Sequence, residues 1–587
     1  MIRIFRHLRT KEWCFVILSV LFIVAQVWLD LRLPEYMTEI TALVQTEGSE
    51  MAEIYSAGGK MLLCALGSLI TSVVVGFFAA QVAANLSRRL RREIFEKVES
   101  FSMEEISGFS TDSLITRSTN DITQIEMIVA MGLQLIVKAP IMAVMAILKI
   151  QDKGTWQWSA LTACAVVLLV TTILIIMFYS VPKFKRIQGL TDNLNRVSRE
   201  NLTGLRVVRA YNAETYQEEK FDRANEELTG THLKAQRAMQ VMSPMMSLVM
   251  NGITLGIYWI GAYLIDAAGI SDKLPIFSNM VVFSSYAMQV IMAFTMLTMI
   301  FIMLPRAAVS AKRIEEVLDT KPTILDGTAS SGEVGLCGEV EFRHVSFKYP
   351  DAEDYVLHDI SFTAHKGETV AFIGATGSGK STIVNLVARF YDATEGEVLV
   401  DGINVKDYRL RDLYNKLGYV PQRAVLFSGT VKSNVAFGDN GKPPADETEI
   451  AAAVRTAQSA DFVERLEGQY DGAVAQGGAN FSGGQKQRLS IARAICRKPE
   501  IYIFDDSFSA LDYKTDRVLR SALKKETAGV TSLIVAQRIG TIKDADRIIV
   551  IDEGRAVGIG THDELMASCD VYREIALSQL SKEELGA

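Results

Sequence analysis

The chain is poor in cysteine, the residue that stabilises small extracellular folds through disulfides and binds structural zinc. It has six cysteines among 587 residues, and no two of them form a C-x-x-C pair. Neither a disulfide framework nor a zinc site is therefore expected. The net charge is −7, so the chain has no overall basic footprint. Nucleic acid is accordingly not an expected partner.

Long apolar runs dominate the first half of the chain. Each is long enough to cross a bilayer as a helix, and together they predict six spans, at about 13–29, 61–85, 128–150, 159–181, 245–268 and 279–304. No small-residue cleavage site follows the first run, which predicts an uncleaved membrane helix rather than a signal peptide. Residues 1–11 mix apolar and basic side chains, as in an amphipathic segment at the membrane interface. Residues 1–320 are therefore predicted to form a membrane domain.

Loop charge predicts the orientation of these spans. The loop between spans one and two carries five glutamates and almost no basic residue. The loops between spans two and three and between spans four and five are rich in arginine and lysine. The positive-inside rule places those two loops and both termini in the cytoplasm. Both basic loops keep a mixed apolar and charged periodicity, which predicts that the spans continue as helices beyond the bilayer.

Two kinds of residue inside the spans are candidates for a role in transport. Lys138 falls within the third span, and an intramembrane charge is a functional candidate by default. Lys149 lies near the end of the same span and is predicted to snorkel. The sixth span is rich in methionine, which either lines an adaptable pathway or packs as an ordinary apolar side chain. These methionines are Met280, Met288, Met292, Met296, Met299 and Met303.

A phosphate-loop motif stands in the second half of the chain. It fits the pattern Gly-x4-Gly-Lys-Ser/Thr, between a strand-like run at 369–373 and a helix-like run at 383–391. Its residues are Gly374, Ala375, Thr376, Gly377, Ser378, Gly379, Lys380, Ser381 and Thr382. Glycines let backbone N–H groups close around phosphate oxygens, and the helix N-terminus adds positive potential. Lys380 is predicted to reach the β- and γ-phosphates and Ser381 to ligate Mg²⁺, so the chain is predicted to bind a nucleoside triphosphate.

The surroundings of the motif predict an α/β domain. After a linker at 321–336, short β runs alternate with helices through 337–587. A strand-like run at 501–504 ends in Asp505 and Asp506, and Asp505 is predicted to hold Mg²⁺ directly or through water. The predicted fold is thus an α-helical membrane domain followed by an α/β phosphate-loop ATPase domain.

A second motif carries a resemblance to a known family. The motif opens a helix-like run upstream of Asp505, and it resembles the signature of ATP-binding-cassette (ABC) ATPases; its residues are Ser482, Gly483, Gly484 and Gln485. Its chemistry is again N–H groups and a helix N-terminus aimed at phosphate. With six spans ahead of it, nearly the whole chain resembles a half-transporter of the ABC exporter family, including the subunits of bacterial heterodimeric multidrug exporters.

The resemblance implies roles for further residues. It places Tyr349 where the family stacks an aromatic ring on adenine, and Gln422 in the loop that touches Mg²⁺ and senses the membrane domain. Asp512 falls in a loop that crosses between subunits. Coupling helices are implied at about 113–121 and 210–217. In the family, two ATP molecules are each held between one chain's phosphate loop and the other chain's signature.

Two positions depart from the family pattern. Asp506 stands where the family has its catalytic glutamate, and Gln537 stands where it has a switch histidine. Aspartate is one methylene shorter, and a general base must lie within hydrogen-bond reach of its water. Glutamine donates hydrogen bonds but has no titratable proton in the useful range. The two departures predict a site that binds Mg·ATP and hydrolyses it slowly.

The sequence therefore predicts one subunit of a heterodimeric, ATP-driven exporter in a bacterial plasma membrane. Six spans are half of what the family's pathway takes, so a second half-transporter is expected, with an intact glutamate and histidine and an altered signature. An apolar pathway favours amphipathic drugs, lipids or hydrophobic peptides. Two alternatives stay open: a homodimeric active exporter, and an ATP-gated channel or regulator.

Overall fold

The computed structural model describes residues 2–45, 50–153, 155–350 and 352–579. It contains two compact units. One comprises Met1–Glu99 and Thr111–Thr320, and the other comprises Ser100–Ser110 and Lys321–Ala587. We call them the helical unit and the nucleotide unit.

The helical unit is built from long α-helices preceded by a 3₁₀ helix, Ile2–His7. Its α-helices are α1 (Thr10–Gln45), α2 (Met51–Glu99), α4 (Thr111–Ser118), α5 (Asn120–Lys153), α6 (Trp156–Thr203), α7 (Leu205–Ala210), α8 (Glu214–Gln240), α9 (Met242–Ala267) and α10 (Ile270–Asp319), while α3 (Met103–Phe109) belongs to the nucleotide unit. Six helical segments among the described residues are long and apolar enough to cross a membrane. The six predicted spans are thus confirmed by length and composition.

Several helices are much longer than a bilayer is thick. Helix α2 has 49 residues, or roughly 70 Å at 1.5 Å per residue, against about 30 Å of hydrocarbon. This confirms that helix continues into the basic loops. Helix α1 also passes unbroken through Pro34, beyond the end predicted for the first span.

The core of the helical unit lies where α5 packs against α10. Its buried side chains include Ala143 and Ala146 of α5 and Tyr286 and Val290 of α10. Small residues on one helix let large ones on the other interdigitate, which is how interiors reach crystal-like density. Met280 is buried in this core, so it packs rather than lines a pathway.

The nucleotide unit combines three sheets with short helices. Its strands are β1 (Val340–Phe347), β2 (Leu357–Ala364), β3 (Thr369–Ile373), β4 (Glu395–Val400), β5 (Ile403–Asn404), β6 (Leu417–Val420), β7 (Gly429–Thr430), β8 (Ala473–Val474), β9 (Ile501–Asp505), β10 (Thr531–Val535), β11 (Arg547–Asp552) and β12 (Arg555–Gly560). Its further helices are α11 (Lys380–Val387), α12 (Leu410–Lys416), α13 (Val431–Val435), α14 (Glu447–Thr456), α15 (Ala460–Val463), α16 (Gly483–Cys496), α17 (Tyr513–Glu526), α18 (Ile539–Ile542), α19 (His562–Ser568) and α20 (Asp570–Gln579), with short 3₁₀ helices at Val405–Asp407, Gln469–Asp471 and Gln476–Gly478.

The central sheet has the order β12-β11-β3-β10-β9-β6, and only the pairing of β12 with β11 is antiparallel. Strand β9 is buried along its whole length and β3 along nearly all of it, which explains their unbroken apolar sequences. An antiparallel sheet of order β2-β1-β4-β5 lies in the same unit. Because parallel strands end at one edge, the residues that follow β3, β9 and β10 meet there.

Two segments outside the sheets are fastened to this unit. The backbone N–H of Gly327, in the predicted linker, donates to the Tyr408 carbonyl at 2.9 Å. The Glu105 carboxylate of α3 accepts from the backbone N–H of Thr323, also at 2.9 Å. The segments for which the resemblance implies coupling helices, 113–121 and 210–217, lie in the helical unit.

Candidate functional site

The phosphate-loop motif lies where β3 ends and α11 begins. A Cβ added at Gly374 would lie 1.9 Å from the Ile551 carbonyl oxygen, and Gly379 has a φ of +98°. Only glycine meets both demands without strain. The loop backbone therefore curls into a cradle, and the first N–H groups of α11 face the same space.

Lys380 fills this cradle with its ammonium group. Its Nζ donates to the carbonyl oxygens of Gly374 at 3.0 Å and Ala375 at 2.6 Å, and the residue is 7% exposed. Burial lowers the pKa of the Lys380 ammonium, while Asp506 and Asp505 oppose that shift. The buried Lys380 ammonium and the backbone N–H groups around it can both donate hydrogen bonds to a phosphate, and the ammonium adds positive charge.

Ser381 and Asp505 form the second element of the site. The Ser381 hydroxyl donates to Asp505 Oδ1 at 2.7 Å. Burial raises the pKa of Asp505, and the hydrogen bond from Ser381 opposes that shift. A hydroxyl and a carboxylate in contact are the hard oxygen donors that Mg²⁺ prefers. The residues present therefore fit Mg·ATP, with Ser381 and Asp505 at the metal and Lys380 at the phosphates.

Asp506 is the meeting point of the two departures from the family pattern. Gln537 Nε2 donates to Asp506 Oδ2 at 2.9 Å, and Gln422 Nε2 donates to the same oxygen at 3.3 Å. Asp506 has a left-handed backbone, with a φ of 45°, which is uncommon for a non-glycine residue and marks a constrained turn. Its carboxylate is thus engaged by two side-chain amides.

Burial raises the pKa of the Asp506 carboxyl, and the hydrogen bond from Gln422 and the charge of Lys380 oppose the shift. The neighbouring Asp505 carboxylate and this one share a largely buried corner of the sheet. A buried carboxyl of this kind holds its proton more readily than an exposed aspartate. Gln537 donates a hydrogen bond to Asp506 but has no titratable proton.

Tyr349 stands beside the start of α11. Its hydroxyl lies 3.1 Å from Thr382 Oγ1, and its ring meets those of Phe347 and Tyr391 edge to face, at 4.9 and 5.2 Å. These contacts fix the ring next to the phosphate cradle. A fixed aromatic face in this place can stack on a nucleotide base.

The signature motif caps helix α16. Ser482 is the N-cap residue, and its backbone N–H donates to Gln485 Oε1 at 2.9 Å while the Gln485 N–H donates to Ser482 Oγ at 3.3 Å. Ser482 and Gly483 are exposed. A preformed helix N-terminus is therefore presented outward, where its N–H groups can meet an anion. Gln487 of the same helix is buried and donates to the Pro421 carbonyl at 3.1 Å, which connects α16 to the Gln422 loop.

Asp512 begins helix α17. Its carboxylate accepts from the backbone N–H of Thr515 at 3.0 Å, and this hydrogen bond lowers the pKa of Asp512. The residue is exposed. Nearby, the Ser509 hydroxyl donates to the Asp506 carbonyl at 2.9 Å and ties this loop to the carboxylate corner.

The structure thus brings one group of the predicted residues together and leaves another group apart. Lys380, Ser381, Asp505, Asp506, Gln422 and Gln537 meet at one edge of the central sheet. Ser482 and Asp512 are instead exposed N-cap residues, at the starts of α16 and α17. The first group can hold a metal–nucleotide complex; the second is available to another molecule.

One contact of the site has no signal in the sequence. Gln579, at the end of α20, donates through Nε2 to the Gln537 carbonyl at 2.8 Å, and its Oε1 accepts from the Ile539 N–H at 2.9 Å. The last described helix therefore holds the backbone of Gln537 in place. A lone glutamine near the end of an ordinary helix gives no pattern from which this could be predicted.

A polar network joins the helices of the helical unit. Lys138 Nζ lies 3.2 Å from Asp30 Oδ2, and Ser68 donates to Asp30 Oδ1 at 2.5 Å. Pro34 has no N–H to offer the Asp30 carbonyl one turn before it. Gln289 Nε2 of α10 donates to that carbonyl at 3.4 Å instead. Asp30 therefore connects α1 with α2, α5 and α10.

Lys149 is paired as well. Its Nζ lies 2.7 Å from Glu35 Oε1, and Arg32 Nη1 lies 2.7 Å from Glu35 Oε2. Tyr286 adds a hydrogen bond to Glu35 at 3.4 Å. The snorkelling prediction for Lys149 overlooked this partner, because a carboxylate 114 positions away in sequence is not visible from the span itself.

Comparison with known proteins agrees with this geometry. The family described as "ABC transporter transmembrane region" matches residues 16–294, and the family described as "ABC transporter" matches residues 357–509. An uncharacterized ABC transporter ATP-binding protein of Mycobacterium tuberculosis is 40% identical over 561 residues, covering 93% of each chain. An ATP-dependent lipid A-core flippase of Pseudomonas fluorescens is 30% identical over 515 residues, covering 88% of this chain and 84% of the flippase.

A solved structure also matches. A bacterial Atm1-family ABC exporter with ATP bound aligns with a TM-score of 0.80 and 26% identity, over 97% of this chain and 100% of the exporter chain. The nucleotide unit and the six spans are therefore the parts of an ATPase coupled to transport. This chain belongs to the ABC transporter family, as a half-transporter of the exporter type that uses ATP and Mg²⁺.

Proposed function

We propose that this chain is one subunit of a heterodimeric exporter, in which its own phosphate loop binds Mg·ATP and hydrolyses it slowly. Its signature completes the active site of the partner. The observation that carries the proposal is the hydrogen bond from Gln537 to Asp506 at 2.9 Å. The two departures from the family pattern meet at one carboxylate oxygen, and both weaken the same chemical step.

Asp506 is a poor general base for two physical reasons. Its side chain is about 1.5 Å shorter than a glutamate, and a misplacement of about 1 Å can cost on the order of 10²-fold in rate. Two side-chain amides also donate to its Oδ2, which occupies lone pairs that a base offers to water. Binding is spared, because Lys380, Ser381 and Asp505 make their contacts independently of Gln537.

The signature supports the second half of the proposal. The capping box between Ser482 and Gln485 preorganises the N-terminus of α16. An anion site that is preformed and exposed serves a nucleotide held by another chain. In a homodimer both signatures would face a weakened site, so a different partner is the simpler arrangement.

The test compares three variants in the complex purified with its partner. Ser482→Arg removes the hydroxyl that caps α16 and places a bulky side chain where its N–H groups would meet the nucleotide. Disrupting oriented donors in a catalytic site costs about 10²–10³ in rate, so this variant is expected to nearly abolish ATP hydrolysis. Asp506→Ala is expected to leave most of it. Ser568→Arg, at an exposed serine that ends helix α19, is the control for the same substitution and is expected to have no effect.

Three outcomes would contradict the proposal. Equal losses from Ser482→Arg and Asp506→Ala would mean that both sites hydrolyse ATP. Fast hydrolysis by this chain purified alone would support the homodimeric exporter. ATP binding and gated flux without uptake against a gradient would support the channel or regulator.

We also propose that the exporter lies in a bacterial plasma membrane with both termini in the cytoplasm and carries amphipathic or hydrophobic substrates. The basic loops support the orientation, and the name of the lipid A-core flippases supports a lipid-like cargo. In a cysteine-free background, Glu50→Cys is expected to react with an impermeant thiol reagent from outside, and Asn195→Cys only after permeabilisation. The reverse labelling would contradict the orientation, and stimulation of hydrolysis by drugs but not lipids would contradict the lipid-like cargo.

A further inference from the structure

A basic cavity lies where the start of α1 meets the second half of α2. Its volume is about 300 Å³. Five of the side chains that line it are cationic and one is anionic: Arg9, Lys11, Arg88, Arg89 and Arg92, with Glu12. The cavity is separate from the nucleotide site, which lies in the other unit.

One of the five cations serves the fold. Arg89 Nη2 lies 2.9 Å from Glu12 Oε1, and Arg89 also donates to the His7 carbonyl. Glu12 is buried, and it accepts from the backbone N–H of Arg9 as well. The Arg89–Glu12 pair has no net charge and connects the N-terminal segment to α2. Both residues line the cavity, and we call this pair its floor.

The other four cations are left with little compensation. Among the described residues, no carboxylate lies within 4 Å of the side-chain nitrogens of Arg9, Lys11 or Arg88. Arg92 lies 3.8 Å from Glu96, and both of those side chains are about two-thirds exposed. Like charges gathered in one concavity repel each other and focus a positive potential. An anion bound there would relieve that repulsion.

The surface beside the cavity is apolar. Phe15 lines the cavity and stacks on Phe78, with 5.2 Å between ring centroids. Ile17, Leu18 and Phe77 lie farther along α1 and α2 and are exposed. A cationic cavity that continues into exposed apolar side chains matches a molecule with an anionic head and apolar tails.

We propose that this cavity binds the headgroup of an anionic phospholipid whose acyl chains lie along α1 and α2. Basic pockets at the ends of membrane helices recognise phosphate headgroups, and each lysine or arginine near the surface adds to the attraction. The Arg89–Glu12 floor positions the N-terminal segment, and Arg9, Arg88 and Arg92 contact the phosphate. The leaflet that supplies the lipid is the cytoplasmic one under the orientation proposed above.

The test measures lipid binding by the full transporter, purified with its partner, using native mass spectrometry. Phosphatidylglycerol is titrated against phosphatidylcholine. The wild type is expected to retain phosphatidylglycerol preferentially, and Arg9→Gln/Arg88→Gln/Arg92→Gln is expected to bind it about 10²-fold more weakly. Arg91→Gln is the matched control, because Arg91 pairs with Glu126 at 3.3 Å and does not line the cavity.

Three results would overturn the proposal. The first is equal retention of the two lipids. The second is an equal loss of phosphatidylglycerol binding in the triple variant and in the Arg91→Gln control. The third is complete displacement of phosphatidylglycerol by inorganic phosphate, which would identify a free phosphate site. If the triple variant does not fold, Arg88→Gln alone is expected to weaken binding about fivefold. A photoreactive phosphatidylglycerol is expected to label wild-type peptides that contain residues 9–18 or 77–92, and labelling confined to other peptides would also refute the site. None of these readouts depends on orientation, which the cysteine labelling tests separately.

Discussion

Removal of Lys138 tests whether the polar network holds the membrane helices together. Lys138 and Asp30 are about four-fifths buried, and their charged atoms lie 3.2 Å apart. Lys138→Met keeps an unbranched side chain of similar reach and removes the charge. Asp30 is then left as a largely buried carboxylate whose described partner is the Ser68 hydroxyl.

The expected loss in the free energy of unfolding is large because the Asp30 carboxylate is left as an unpaired charge. Breaking a buried ion pair from one side typically costs about 3–5 kcal/mol. Asp30 keeps its bond from Ser68 and some exposure, so we expect a loss near the lower end, about 3 kcal/mol. At roughly 2 °C per kcal/mol for a unit of this size, the melting temperature should fall by about 6 °C.

Lys149 provides an internal control. Lys149→Met removes a lysine from the same helix, but Glu35 keeps Arg32 at 2.7 Å and Tyr286 at 3.4 Å. Its carboxylate is never left unpaired, so the loss should be about 1 kcal/mol or less. The double variant Asp30→Asn/Lys138→Met removes both charges and should recover most of the stability lost in Lys138→Met.

The assay is the thermal loss of monodisperse protein in detergent, at one fixed heating rate because unfolding of membrane proteins is commonly irreversible. The refuting results are clear. Equal falls in melting temperature for Lys138→Met and Lys149→Met would mean that the remaining partners of Glu35 do not compensate for the loss of Lys149. A double variant as unstable as Lys138→Met would mean that lost packing, and not an unpaired charge, causes the effect.

Three further predictions concern the nucleotide unit. Lys380→Ala should lower ATP retention at this site by about tenfold or more, measured by photolabelling with an azido nucleotide, while Lys366→Ala should leave it unchanged. Burial raises the pKa of Asp506 above 3.8, so its ionisation costs folded stability as pH rises through the folded pKa. Asp506→Asn should therefore melt higher than wild type at pH 7 without nucleotide and equal to it below about pH 4, whereas a lower melting temperature at pH 7 would contradict this sign. Gln579→Ala removes two hydrogen bonds and should speed hydrogen exchange at the Ile539 amide, and unchanged protection would refute the contact.

Local signals made much of this protein predictable. The phosphate loop is contiguous, and its strand–loop–helix setting follows from the apolar run before it and the helix-like run after it. The spans follow from length and hydropathy, since about 20 apolar residues have few other uses. The pair Asp505–Asp506 is predictable because it follows directly on a run of apolar residues that forms a buried strand.

Contacts between distant residues were not predictable in this way. The first span is predicted to end at about residue 29, whereas helix α1 continues through Pro34 to Gln45. Gln289 of α10 donates to the Asp30 carbonyl in place of the N–H that this proline lacks, and Tyr286 of the same helix donates to the Leu31 carbonyl. Those residues lie more than 250 positions away in sequence. The apolar periodicity of one helix does not show which side chains of another helix will donate hydrogen bonds to its carbonyls.

Under the proposed function, the separate roles of the site residues explain how this half-transporter can keep ATP and lose turnover. In that proposal, ATP retention depends on the loop backbone, on Lys380 and on the Ser381–Asp505 pair. Activation of water depends on the side chains at positions 506 and 537. Since the two groups share few contacts, substitution in the second leaves the first intact, and an ATP that persists can hold two nucleotide units together through the signature of the partner. Under the proposed function, selection would then preserve Lys380 and Ser482 in this chain while position 506 is free to drift, so the weakened base is consistent with an active exporter.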